Sequence, residues 1–198
     1  MSPILGIWAS QNYVRTQPQV LAYDSIETVT VGSGGASSIS FTSIPGTYKH
    51  LQIRAMMKTS TVNGIYDKTR FNSDTGTNYT CHSLEAGGAN NLVNSVSNVG
   101  IDHLRITAAT NYGVYGTGTT GYPAVAILDI LDYTNTNKYK VVKSIVGSDG
   151  NNGNGGVALM SGLWLNTNAI TSITILAFAV GSASSFGQGS SFALYGIK

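Results

Sequence analysis

The chain has 198 residues, 10% charged and 42% hydrophobic, with a formal net charge of +2. Gly (24), Ser (22), Thr (21) and Asn (16) supply 83 of its residues, and these types disfavour helix interiors and favour turns, so long amphipathic helices are excluded. The 11 basic and 9 acidic groups are scattered, which argues against a nucleic-acid partner.

Even the densest basic run, Lys138, Lys140 and Lys143, splits between the two faces of a strand. Cys81 is the single cysteine, so no intramolecular disulfide can form. The first ten residues lack a basic segment and a long enough apolar stretch for a secretory signal. The apolar run Ile170–Val180 is interrupted by Thr171, Ser172 and Thr174 and is about half the length a membrane span needs. A soluble protein without an export signal, a nucleic-acid partner or a membrane segment is expected.

In chain order, residues 1–23 read as an extended arm, with Ile4, Leu5, Ile7 and Trp8 clustered ahead of a polar, aperiodic stretch. Strand patterning begins at Asp24, and 24–43 reads as a hairpin turned by Gly32-Ser-Gly-Gly35. Tyr48–Met57 alternates most clearly, with Leu51, Ile53, Ala55 and Met57 toward a core and His50, Gln52 and Arg54 outward. Further strands are expected at Lys68–Asn72, Tyr79–Leu84, His103–Ala108, Ala124–Tyr133, Tyr139–Val146, Val157–Leu165, Thr171–Phe178 and Ser191–Ile197. The Gly- and Asn-rich clusters Asn72–Asn78, Ala86–Asn91, Asn111–Gly121, Asn135–Asn137 and Gly147–Gly156 read as turns. Short strands at this spacing predict one all-β domain over 24–198, a two-sheet jelly-roll-like β-sandwich with an extended N-terminal arm.

Few groups suggest chemistry. Gly116-Thr-Gly-Thr-Thr-Gly121 matches a dinucleotide fingerprint in letters only, because Tyr122-Pro123 and a strand-like run follow where a helix is needed. Gly147–Gly156 holds one carboxylate, Asp149, and lacks the bidentate acid of a calcium loop. His50, His82 and His103 have no metal-ligand spacing, and no serine sits in a nucleophile elbow. Asp129 and Asp132 lie three apart, on opposite faces of a strand, so they cannot act as an acid/base pair; one at a strand end is expected to cap a turn. No catalytic residue, cofactor or metal site is expected. Tyr112, Tyr115 and Tyr122 fall in or beside one Gly/Thr loop and are candidates for stacking on a glycan, because a ring offers large area at low entropy cost.

Several segments resemble small virion structural proteins of tailed bacteriophages: Ser2-Pro-Ile-Leu-Gly-Ile-Trp-Ala-Ser10, Tyr23-Asp-Ser-Ile-Glu-Thr-Val-Thr-Val31, Ile44-Pro-Gly-Thr-Tyr-Lys-His-Leu-Gln-Ile-Arg54, Arg70-Phe-Asn-Ser-Asp-Thr-Gly-Thr-Asn-Tyr79, Leu128-Asp-Ile-Leu-Asp-Tyr133, Ser161-Gly-Leu-Trp-Leu-Asn166 and Ser191-Phe-Ala-Leu-Tyr-Gly-Ile-Lys198. The resemblance implies a non-enzymatic accessory protein of the virion surface, made in the host cytoplasm. Its partners would be major capsid or tail proteins, and the habits of virion jelly rolls suggest a homotrimer. Capsid decoration is the first expectation; a tail or fibre module recognising host surface glycans is the second. Either role gives Ile4, Leu5, Ile7 and Trp8 a use as docking residues, since large apolar side chains must be covered by the protein itself or by a neighbour.

Overall fold

The computed structural model describes residues 22–58, 66–87, 92–106, 123–149, 155–178 and 185–198. These contain eleven strands: β1 (Tyr23–Thr30), β2 (Ser38–Phe41), β3 (His50–Met57), β4 (Tyr66–Phe71), β5 (Tyr79–Gly87), β6 (Leu92–Ile101), β7 (Ala124–Leu131), β8 (Lys140–Asp149), β9 (Gly155–Trp164), β10 (Ile173–Phe178) and β11 (Ser191–Ile197). No helix occurs among the described residues. The strands form two antiparallel sheets, one of eight strands in the order β1-β11-β3-β7-β8-β9-β5-β6 and one of three in the order β2-β10-β4.

One core joins the two layers. Leu51, Ile53, Ala55 and Met57 of β3 are buried, as their alternation predicts, beside Leu128 and Ile130 of β7 and Phe192 and Leu194 of β11. Ile39, Phe41, Phe71, Ile173 and Ile175 of the small sheet belong to the same cluster. At one end, Trp164 meets Phe71 edge-on at 5.6 Å and stacks on Tyr79 at 6.2 Å. Its indole N–H donates to Asp74 at 2.7 Å, which gives the buried ring the polar partner it needs. Lys140 is fully buried beside them, and its ammonium donates to the carbonyls of Asn135, Lys138 and Thr167, so the cation keeps hydrogen bonds out of water.

Two glycines allow close approach. A Cβ on Gly162 would lie 2.6 Å from Leu104 and 2.8 Å from Val142, and one on Gly196 would lie 2.3 Å from the Tyr48 ring.

The expected hairpin over 24–43 does not form. β1 pairs with β11 in the large sheet, whereas β2 pairs with β10 in the small one. The Gly32–Gly35 turn instead carries the chain between layers, pinned where Val31 N–H donates to Ser190 and where Ala36 and Phe186 bridge. The strand expected at His103–Ala108 is reduced, over the described residues, to one bridge between Leu104 and Thr69. The strand β6 went unpredicted, because Asn, Ser and Gly hold five of its ten positions and its valines recur every third residue. The remaining expected strands recur within a few residues of their predicted ends.

Candidate interaction surface

The two faces of the large sheet differ in what covers them. The inner face meets the small sheet, while the outer face carries large apolar side chains with nothing over them among the described residues. Register fixes their arrangement. Ile127 of β7 lies opposite Ile145 of β8, which lies opposite Leu159 of β9, which lies opposite Leu84 of β5. These four form one row across neighbouring strands, 39%, 57%, 50% and 54% exposed. Met56, Val125, Val157 and Val93 line the adjacent row, while on the other side the polar row Asp129, Lys143, Ser161 and His82 separates the field from the exposed pair Leu131 and Val141. Exposed apolar residues are ordinary singly; contiguous rows mark a surface that meets another.

A polar and aromatic flank borders this field. Arg54 lies over both the Tyr23 ring (5.3 Å) and the Tyr195 ring (5.1 Å). Its Nε donates to Gln52 Oε1 at 2.8 Å, and Gln52 Nε2 donates to Asp129 Oδ1 at 2.7 Å. Lys143 sits 3.9 Å from the other oxygen of Asp129. Gln52 therefore points outward as expected, yet is only 7% exposed, because these neighbours cover it. Tyr and Arg flanking an apolar centre is the composition that carries binding energy at protein interfaces.

A second polar group lies at the β4–β5 end. His103 Nδ1 is 2.6 Å from Asp102 Oδ1, Arg70 forms an ion pair with Asp102, and Lys68 is 3.9 Å away. Burial alone would raise the Asp102 carboxyl, but hydrogen bonds from His103 and Arg70 outweigh it and hold it at about 2. Burial pushes the His103 imidazole down, partly opposed by Asp102. The pair has the form of an orienting carboxylate and a base, but Nε2 of His103 faces the Arg105 guanidinium at 3.4 Å. That position is where a nucleophile would have to stand. Cys81 is buried and its thiol is pushed up, chiefly by burial, which is opposite to activation. Asp67 and Glu85 are also buried: Asp67 accepts from Ile106 N–H and Thr69 Oγ1, and Glu85 accepts from Ser83 Oγ. The Asp67–Ile106 contact ties β4 to the segment after β6, and the Ser83–Glu85 bond lies within β5.

Asp132 sits at positive φ just past β7 and accepts from the Asn135 N–H through its carbonyl, so the pair of aspartates divides as expected between strand and turn. His50 lies beside Asp132, His82 bonds Ser97 at 3.0 Å, and His103 bonds Asp102; the structure does not bring the three together. Among the described residues no cluster of His, Cys, Asp or Glu could hold a metal ion, and no helix is long and apolar enough to cross a membrane. The docking candidates Ile4, Leu5, Ile7 and Trp8 and the glycan candidates Tyr112, Tyr115 and Tyr122 lie outside the described residues.

The apolar field was overlooked in sequence although a signal existed. In Ala124-Val-Ala-Ile-Leu-Asp-Ile-Leu131 only Asp129 is not apolar. A run apolar at both parities belongs to a strand covered on both faces. Comparison of the chain with protein-family models, curated proteins and solved structures finds no match.

Proposed function

We propose that this chain is a non-enzymatic structural protein of a tailed-bacteriophage virion, an accessory component that decorates the capsid surface. In this reading the two sheets are a jelly-roll-like sandwich, the residues ahead of β1 are a docking arm, and the protein assembles symmetrically, as a homotrimer by the habit of virion jelly rolls, against major capsid proteins. The observation that carries the reading is the exposed apolar field of the large sheet, which suits burial against a neighbouring protein. The polar side chains of the described residues, meanwhile, bond chiefly to one another and to backbone. The test is copy number in purified particles: hundreds of copies fit capsid decoration, a handful fit a tail role, and complete absence from particles removes both. Deleting residues 2–20 should leave a folded, soluble domain that no longer enters particles; unfolding or aggregation of the truncated protein would place the arm in the core instead.

A tail module recognising host glycans draws support from the Tyr23–Arg54–Tyr195 group beside Gln52 and Asp129, since aromatic rings next to amide and carboxylate groups suit a sugar. Saturable binding on a glycan array, lost in Tyr195→Ala, would favour it over decoration.

A further inference from the structure

The two sheets have four edge strands, and three carry features that discourage pairing. β1 bears Asp24 and Glu27 and is bulged between Ser25 and Glu27. β2 is four residues long. β4 carries Asp67, Lys68 and Arg70, and Thr69 is bridged by Leu104. Charge, bulges, brevity and cover are the usual means of keeping sheet edges apart. Among the described residues β6 has none of them from Leu92 to Asn98: it includes no charge and no proline, its register with β5 runs unbroken over that stretch, and its one bulge lies beyond it at Val99–Gly100. A long, uncharged edge exposes a row of main-chain donors and acceptors that a further strand can satisfy.

The sequence of β6 indicates which strand. Val93-Asn-Ser-Val-Ser-Asn-Val99 reads the same in both directions about Val96. An antiparallel partner of identical sequence, related by a two-fold axis at Val96, would set Val93 against Val99, Asn94 against Asn98, Ser95 against Ser97, and Val96 against itself. Every cross-strand pair would then be of like kind, valine on valine and hydroxyl or amide on its own type, and such pairs stabilise a sheet. Val93 and Val99, the two ends of this palindrome, are each 70% exposed. The lack of charge matters equally, because a charged edge meeting its own copy brings like charges near the axis. Val93, Ser95 and Ser97 of β6 lie on the outer face, opposite Ala86, Leu84 and His82, so the apolar field reaches this edge at Val93.

We infer that β6 is a self-association edge, at which a second copy of this chain pairs antiparallel about Val96 to extend the eight-stranded sheet across a two-fold axis. The occupant is a second copy rather than a foreign strand because the palindrome is self-complementary without adjustment. Seven paired residues span about 24 Å of strand, which places the contact at the small end of specific interfaces, so the dimer is expected to form at micromolar concentration. The inference stands apart from the virion reading and would hold for any function.

The test uses the full chain in sedimentation equilibrium over a micromolar to sub-millimolar series. Two double variants place charge on exposed positions that would face each other across the axis, S95K/S97K and S95E/S97E. Wild type is expected to dimerise, and each variant alone to associate at least about tenfold more weakly. An equimolar mixture of the two should recover the dimer, since each lysine then meets a glutamate; misfolded variants would not be rescued in this way. A wild type that stays monomeric, a wild-type trimer unaffected by either variant, or a mixture no tighter than its components would overturn the inference.

Discussion

The inner and outer faces of the large sheet are built from the same strands, yet they have different roles. On β8 the buried Val142, Ser144 and Val146 alternate with the exposed Val141, Lys143 and Ile145. Both faces are largely apolar. The inner face is closed by Phe41, Phe71, Ile173 and Ile175 of the small sheet, while the outer face has no such layer among the described residues. Hydrophobicity alone therefore does not mark the core here. What marks it is the second layer, three strands wide, which covers part of an eight-stranded sheet. If the comparison is right, substitutions on the inner face should cost stability and substitutions on the outer face should cost association.

The largest effect is expected at Trp164. Trp164→Ala removes the ring between Phe71 and Tyr79 and leaves Asp74 without its indole donor, so a loss of about 3–5 kcal/mol is expected in urea unfolding. Burial by itself would raise the Asp74 carboxyl, but the hydrogen bonds from Trp164, Asn78 and Gly76 bring it below the usual range. A cost under 1 kcal/mol would mean that the inner face is not the closed layer described. Gly162→Ala tests the same face by overfilling it. The new methyl would press on Leu104 and Val142, and about 1–3 kcal/mol should be lost. Thermal unfolding of the variant would show this, and an unchanged melting temperature would mean that the segment carrying Leu104 is free to move away.

How much of this was legible in the sequence depends on what had to be decided. Period-two alternation at Leu51, Ile53, Ala55 and Met57 is a local signal and it located β3 and its buried side. Sheet membership is not local. Nothing in residues 24–43 tells that the Gly32–Gly35 turn changes layers rather than closing a hairpin, because the contacts that decide it lie at Phe186 and Ser190. β6 was hidden for another reason: its burial alternates between exposed and half-buried positions, but its valines at 93, 96 and 99 fall on both, so the residue types carry no alternation to read. The outer field was legible in part, since the run of β7, apolar at both parities but for Asp129, signals cover on both faces. The Arg54–Gln52–Asp129 chain was not, because it needs the register of β3 on β7.

A smaller effect is expected on lowering the pH. Asp102 is held at about 2, well below the value of 3.8 expected in the unfolded chain. A carboxylate depressed in the folded state contributes stability that is present above its unfolded value and is lost as pH falls through its folded one. The window therefore runs from about pH 4 down to about 2. With Asp102 a third exposed, solvent screening reduces the contribution to about 1 kcal/mol. Asp102→Asn should flatten stability in that window relative to wild type. Equal slopes for both proteins between pH 4 and 2 would show that Arg70 and His103 do not hold the carboxylate in the folded state.

The smallest effect on stability, and the sharpest test of the comparison, is expected at Ile145. It lies at the centre of the row Ile127–Ile145–Leu159–Leu84 and is 57% exposed, so it has little burial to lose. Ile145→Thr keeps the branched Cβ that suits a strand while replacing a methyl-bearing arm with a hydroxyl, and folding stability should move by no more than about 0.5 kcal/mol. Val142→Thr, on the same strand but facing inward, puts a hydroxyl into the closed core and should cost about 1–3 kcal/mol. If the outer face docks on a neighbour, Ile145→Thr should still lower incorporation into particles, because a hydroxyl buried at an interface centre without a partner weakens binding. Stability unchanged and incorporation reduced is the expected pair of results. A loss of stability as large as that of Val142→Thr would mean that the outer face is covered by the protein itself, and the division between a closed face and a docking face would fail.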